Sequence, residues 1–351
     1  MSHSLRCVCL TLLASLLSAS TVLGDASDGR LYIYFIDVEG GAATLIVTPE
    51  GESLLIDSGY PDNHGRDRDR ILKIARDVCG LKQIDHAAVS HWHLDHYGNH
   101  AVLAAAFGIG TFWDRGIPDE LQEDKSYPDR IAAYRAASQN ASHALEPGDH
   151  LPLKSGTTPL KVTVITASRD VIRNNGPANP FANRHQPQPE DTSDNAASMS
   201  LLFEFGDFRF LTCGDLTWNI EAKLMTPANP VGTIDLFMVT HHGLPVSNNP
   251  VMVLALDPTV AVMCNGPTKG GAEQTMATLK EVRSLKDWFQ LHQNINLAHD
   301  QQAPADFIAN TGRTEACQGQ WIKASVAPDG GSYTVRIGPE GRVHEYQSRQ
   351  H

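Results

Sequence analysis

Apolar residues along the chain fall in short runs punctuated by Gly, Pro and Asp. Residues 31–36 (Leu-Tyr-Ile-Tyr-Phe-Ile), 43–47 and 53–56 are three such runs, separated by Gly40-Gly41 and Gly51. Their close spacing predicts an antiparallel meander. Residues 66–78 place Ile71, Ile74, Ala75 and Val78 on one face, with Gly80 beyond, and predict a helix. A strand follows at 84–90, then an Ala-rich helix at 99–107, a helix at 129–138 and a β-branched strand at 160–166. Two strands are predicted within 200–213 around Gly206-Asp207, and further strands at 234–240 and 260–263. Short helices are predicted at 220–224 and 251–256, and a longer one at 276–289. The last two strands, 321–326 and 333–337, are joined at Asp329-Gly330-Gly331. Between these elements, residues 171–198 form a polar stretch rich in Asn and Pro, of the length and composition of a lid.

The amino terminus differs in kind. Arg6 precedes an apolar stretch from Cys7 to Leu23, and Gly24-Asp25-Ala26 opens polar sequence. A charged, then apolar, then small-residue order is that of a secretory signal peptide, here residues 1–24, with cleavage near Gly24 or Ala26. The expected location is secreted or periplasmic. Residues 25–351 then form a single domain, and no later apolar run approaches a membrane span. Across all 351 residues 41% are hydrophobic, enough for a folded core. A net charge of -12 without basic blocks gives no electrostatic basis for binding nucleic acid. Cys79, Cys213, Cys264 and Cys317 remain after cleavage, and export would permit a disulfide among them, with three possible pairings.

Chemistry concentrates at His91-Trp92-His93-Leu94-Asp95-His96, directly after a predicted strand. Three imidazoles and a carboxylate in six residues suit zinc, and also manganese or iron. Three other strand ends carry similar groups: Leu54-Leu55-Ile56-Asp57, Phe210-Leu211-Thr212-Cys213-Gly214-Asp215 and Phe237-Met238-Val239-Thr240-His241-His242-Gly243. Each alone is weak, because Asp is common at turns. Together they describe a metal cleft built from the ends of several strands.

In this order the motifs resemble the metallo-β-lactamase superfamily. The branch they look most like is the ComEC-type extracellular domain and its free-standing secreted relatives. The supporting segments are Phe35 through Gly41, Leu145-Glu146-Pro147-Gly148-Asp149, residues 195–202 and Thr240-His241-His242-Gly243. The resemblance implies an α/β fold, an αββα sandwich of two mixed β-sheets with outer helices. It implies two metal ions, zinc first, with manganese or iron as alternatives. His91, His93 and Asp215 would hold one ion. Asp95, His96, Asp215 and His241 would hold the other, with Asp215 bridging. Asp57 would orient a ligand histidine, Asp95 would orient the nucleophile, and His242 would contact substrate or donate a proton.

Two departures stand out. Where many members supply a further His, this chain reads Ser193-Asp194-Asn195-Ala196-Ala197-Ser198, with His185 upstream in the polar loop. Where Gly-Gln-Gly-Asp is common, it reads Gly40-Gly41-Ala42. The expected function is a secreted metal-dependent hydrolase whose metal-bound hydroxide attacks a phosphodiester or related ester, small or oligomeric. The alternatives are an inactive binding or sensory protein on the same fold, and, ranked last, an iron-containing oxidoreductase or sulfur-transfer protein.

Overall fold

The structure is a computed structural model that describes residues 28–61, 63–312 and 317–351. The expected signal peptide and its cleavage point lie outside the described residues. Strands run in chain order as β1 Leu31–Phe35, β2 Thr44–Val47, β3 Ser53–Ile56, β4 Ile84–Ala88, β5 Ile109–Asp114, β6 His143–Ala144, β7 His150–Leu151, β8 Leu160–Ala167 and β9 Asp170–Val171. They continue as β10 Ser200–Phe205, β11 Phe208–Thr212, β12 Leu236–Met238, β13 Val260–Met263, β14 Asp287–His292, β15 Ile308–Asn310, β16 Ile322–Val326, β17 Ser332–Ile337 and β18 His344–Gln347. The helices are α1 Arg66–Leu72, α2 Leu94–Tyr97, α3 His100–Phe107, α4 Tyr127–Ala137, α5 Trp218–Met225, α6 Pro250–Leu256 and α7 Glu273–Lys280.

These strands make two mixed sheets. One has the order β18-β17-β16-β1-β2-β3-β4-β5-β6. The other has the order β15-β14-β13-β12-β11-β10-β8-β7, with β9 paired to β8. The predicted meander is present: β1 pairs antiparallel with β2, and β2 with β3. From β3 the first sheet turns parallel through β4 and β5. In the second sheet β11 to β15 are parallel.

Burial explains the layers. In β1, Leu31, Ile33 and Phe35 pack with Phe203, Phe205 and Phe210 of the second sheet, filling the space between sheets. Tyr32 and Tyr34 alternate to the opposite face and join Ile71, Ile74 and Leu103 under α1 and α3. The period-two alternation thus loads both faces of one strand with apolar side chains, as a sheet covered on both sides requires. On the second sheet, Phe237 and Val239 pack outward with Val251, Leu254 and Met276 of α6 and α7. Helix, sheet, sheet, helix is the αββα order.

Two local expectations need correcting. Residues 276–289 are not one helix: α7 ends at Lys280, and β14 begins at Asp287. Met276, Leu279, Val282, Leu285 and Phe289 do have helical spacing. Tertiary pairing of β14 with β13 overrides it, and Asp257 holds the break by accepting from both Ser284 N and Ser284 Oγ. The helix predicted at 66–78 is present but widens to π geometry over Lys73–Val78. Cys79, Cys213, Cys264 and Cys317 are all free. Among the described residues no helix is long and apolar enough to cross a membrane.

Candidate metal centre

Four strand ends deliver the site. Asp57 follows β3 directly, and Ser90 to His96 lie just beyond β4. Asp215 sits three residues past β11, and His241-His242 follow β12. β3 with β4, and β11 with β12, are parallel neighbours, so their carboxyl ends open on the same edge of the sandwich. Packing sorts the side chains of the histidine turn. Trp92 goes inward, against Tyr97, Tyr127 and Tyr134, while its neighbours His91 and His93 turn the other way.

Asp95, His96, Asp215 and His242 each offer one ligand atom, all within 4.8 Å of one another, and all four residues are buried. The carboxylate of Asp215 is the centre. Its Oδ2 lies 3.2 Å from His96 Nε2, 3.3 Å from His242 Nε2, 3.3 Å from His241 Nε2 and 3.9 Å from His91 Nε2. Asp95 Oδ2 is 3.5 Å from Nε2 of both His96 and His242.

The far nitrogens are held by the protein. His96 Nδ1 lies 2.8 Å from Asp57 Oδ2. Asp57 is itself fixed by Ser90, whose N–H and Oγ–H donate to its two oxygens. His242 Nδ1 bonds the carbonyl of Cys264 at 3.0 Å, and His241 Nδ1 bonds Ser247 Oγ at 3.0 Å. With Nδ1 donating, each ring can turn Nε2 to a cation once that nitrogen has given up any proton it holds. Nε2 of His91, His96 and His242 is buried and makes no hydrogen bond of ordinary geometry. Three orphaned imidazole nitrogens converging on a carboxylate fit a divalent cation, because such groups are costly to bury unpaired.

The backbone is strained to achieve this. His241 and His242 both have φ of 54°, and Asp57 has φ of 59°, left-handed values that non-glycine residues rarely adopt. His241 N donates to Gly214 O, and His242 O accepts from Gly271 N, which holds the pair in place. Gly41 is needed for a different reason: a Cβ there would stand 2.5 Å from the carbonyl oxygen of Asp95.

Electrostatics follow the geometry. Burial drives His91 well below the usual imidazole range, with the neighbouring His96 adding to it. Burial also pushes His241 down to about 4. His96 goes the other way: against the cost of burial, Asp215, Asp57 and Asp95 raise it well above the usual range. His242 is raised against burial by Asp215. Asp95 and Asp215 stay well below the carboxylate range despite burial, held there by the surrounding histidines.

The remaining sequence-predicted residues are placed as follows. His93 lies outside the four-residue group. Its Nε2 is 3.0 Å from Glu123 Oε1. His241 reaches Asp215 as closely as His242 does, but it is His242 that groups with Asp95 and His96. His185 is bonded to Asn249 Nδ2 and is not in the group. In the segment without a histidine, Asp194 accepts from Trp92 N at 2.6 Å and pairs with Arg115, while Ser198 Oγ accepts from Asp215 N. Sequence reasoning missed Ser90, Glu123 and Lys269. The ammonium of Lys269 contacts Asp95 Oδ2 across 174 positions. None of the three carries a local signal, since each is recruited by tertiary contact.

The profile of the metallo-beta-lactamase superfamily matches residues 36–290. The chain belongs to that superfamily. Solved structures are similar to the chain at low identity. A protein from Parabacteroides distasonis assigned as a metal-dependent hydrolase is 13% identical, with a TM-score of 0.41, over 73% of this chain and 92% of that one. CmlA, a diiron β-hydroxylase from Streptomyces venezuelae, is 16% identical, with a TM-score of 0.38, over 66% of this chain and 44% of that one. A protein from Thermotoga maritima assigned as a Zn-dependent hydrolase of the superfamily is 13% identical, with a TM-score of 0.31, over 67% and 75%. This chain thus spans under half of the CmlA chain. No curated protein matches it.

Proposed function

We propose that the protein is an exported metal-dependent hydrolase of phosphodiesters or related esters. The observation that carries this reading is the convergence of Asp95, His96, Asp215 and His242, with three orphaned Nε2 atoms facing a buried carboxylate. These four residues would hold a divalent ion, zinc first. His91, His93 and a shared Asp215 would form the second position, and His241 flanks both. A divalent ion in such a site lowers the pKa of water and polarises an ester oxygen.

The chain's own residues do the rest. Asp57 keeps the proton of His96 on Nδ1 and fixes the ring plane. The Cys264 carbonyl does the same for His242. Asp95 accepts a hydrogen bond from the attacking nucleophile and orients it. The Lys269 ammonium, beside Asp95, stabilises the negative charge that develops there. Export is proposed from the order of residues 1–24, and the ComEC-like relationship from the segments quoted above.

The test is elemental analysis of the purified protein together with turnover of bis-p-nitrophenyl phosphate. Bound zinc or manganese, with turnover abolished by chelator and by Asp95→Ala in a folded variant, is the expected result. A protein that takes up no metal and cleaves no ester would overturn the reading. Amino-terminal sequencing of the exported protein tests the cleavage point.

A further inference from the structure

The reading above leaves the substrate open, and two features narrow it, one in contact with a ligand carboxylate and one lined by residues that closely follow Asp215 and His241-His242 in the chain. The first is Lys269. Its ammonium contacts Asp95 Oδ2 and stands 5.8 Å from the centre of the Tyr60 ring. Its side chain is 33% exposed, so it lies between solvent and the ligand group. Its stem is packed against Gly40, where an added Cβ would come within 3.1 Å of Lys269 Cβ. Among the described residues, Lys269 is the one lysine or arginine in ion-pair contact with Asp57, Asp95 or Asp215. An ammonium held there attracts an anionic group that arrives at the ligands.

The second is a groove of about 580 Å³. One wall, Thr217 and Trp218, starts two residues after Asp215. Another, Pro245 and Val246, starts two residues after Gly243. Asn195 closes it, from the turn whose Ser198 accepts from Asp215 N. Val246 is 52% exposed there. Among the described residues, Asp191 is the only ionisable one lining the groove, and no lysine or arginine does. A polyanion laid in it would lose hydration beside a carboxylate with no cation to compensate.

We propose that the substrate carries one negative charge at its reacting end, held by Lys269, and an uncharged, partly apolar body that fills this groove. A phosphodiester of uncharged alcohols has that form, and a polynucleotide does not. The assignment of the reacting end rests on the hydrolase reading, so the test is a binding measurement that needs no turnover.

Calorimetric titration of the zinc-loaded protein compares diphenyl phosphate, dimethyl phosphate, neutral triethyl phosphate and a short oligothymidylate. Lys269→Met is expected to weaken diphenyl phosphate by about tenfold or more, and Lys269→Arg to recover most of it. Val246→Ser is expected to weaken diphenyl phosphate about threefold and leave dimethyl phosphate unchanged. The oligothymidylate should not displace diphenyl phosphate. Wild-type binding by Lys269→Met, or displacement by equimolar oligothymidylate, would overturn the proposal. If Lys269→Met fails to fold or to hold zinc, the wild-type protein decides. Preference for the monoanions over triethyl phosphate supports the proposal, and equal binding overturns it. Charge-selective binding without ester turnover would sink the hydrolase reading alone.

Discussion

Asp57 Oδ2 sits 2.8 Å from Nδ1 of His96, and Asp57 reaches it from a left-handed backbone conformation. The strained residue is thus the one that sets the tautomer of a ligand. Asp57→Asn keeps the shape and loses the charge that holds the proton on Nδ1. Zinc affinity should fall by about 10- to 100-fold, read by competition with a chromophoric chelator, while the circular dichroism spectrum is unchanged. Unaltered affinity would show that Ser90 alone suffices to orient the ring.

Metal uptake should release protons. His96 is raised well above the usual imidazole range by three carboxylates, so the metal-free site holds its proton at pH 7. A ligand imidazole must be neutral, and zinc therefore displaces that proton. Calorimetry in buffers of different ionisation enthalpy should report net proton release near pH 7, and apparent affinity should rise with pH. Buffer-independent heats would contradict this.

The ligand positions should differ in strength. Asp215 touches every histidine of the centre except His93, whereas His93 is tied to Glu123. Asp215→Ala should abolish zinc binding. His93→Ala should remove at most one equivalent and leave the tighter one, as counted by elemental analysis after dialysis. Loss of all zinc from His93→Ala would mean that the two positions form only together.

His100 gives a separate prediction about stability. It is fully buried, its Nδ1 lies 2.8 Å from Ser58 Oγ, and burial pushes its pKa down to about 4 from an ordinary 6.5. Above pH 6.5 the ring is neutral whether folded or not. Below that value the unfolded chain takes up a proton that the folded chain refuses until about pH 4. Stability is therefore lost as pH falls across this window, by about 3 kcal/mol from this group. His100→Asn keeps a donor near Ser58 and does not titrate. Its urea midpoint should fall less steeply with acid than that of the wild type, and parallel curves would exclude the assignment.

The parts legible in the sequence are those with a local signature. His91-x-His93-x-Asp95-His96 ends a strand, and Asp57, Asp215 and His241-His242 end others, so one-dimensional spacing already points to a common cleft. The meander of β1 to β3 was legible because Gly punctuates it. The 276–289 stretch was not, because five apolar residues at helical spacing conceal a break that Asp257 enforces from a distant turn. Lys269 and Glu123 were illegible for the same reason: each meets the site only through the fold. The division of labour between His241 and His242 depends on two consecutive left-handed residues, which no propensity scale favours.

The pairing of β1 with β16 has a consequence in time. Leu31 finds its partner at Val326, so the first strand made waits for nearly the last before it gains its second neighbour. Until then its edge and the apolar side chains beneath it stay open to other strands. A chain emerging amino terminus first would hold its histidine turn ready while the sheet beneath was still half built. Such a protein gains from a holdase that keeps β1 apart from its own kind until the last strands arrive.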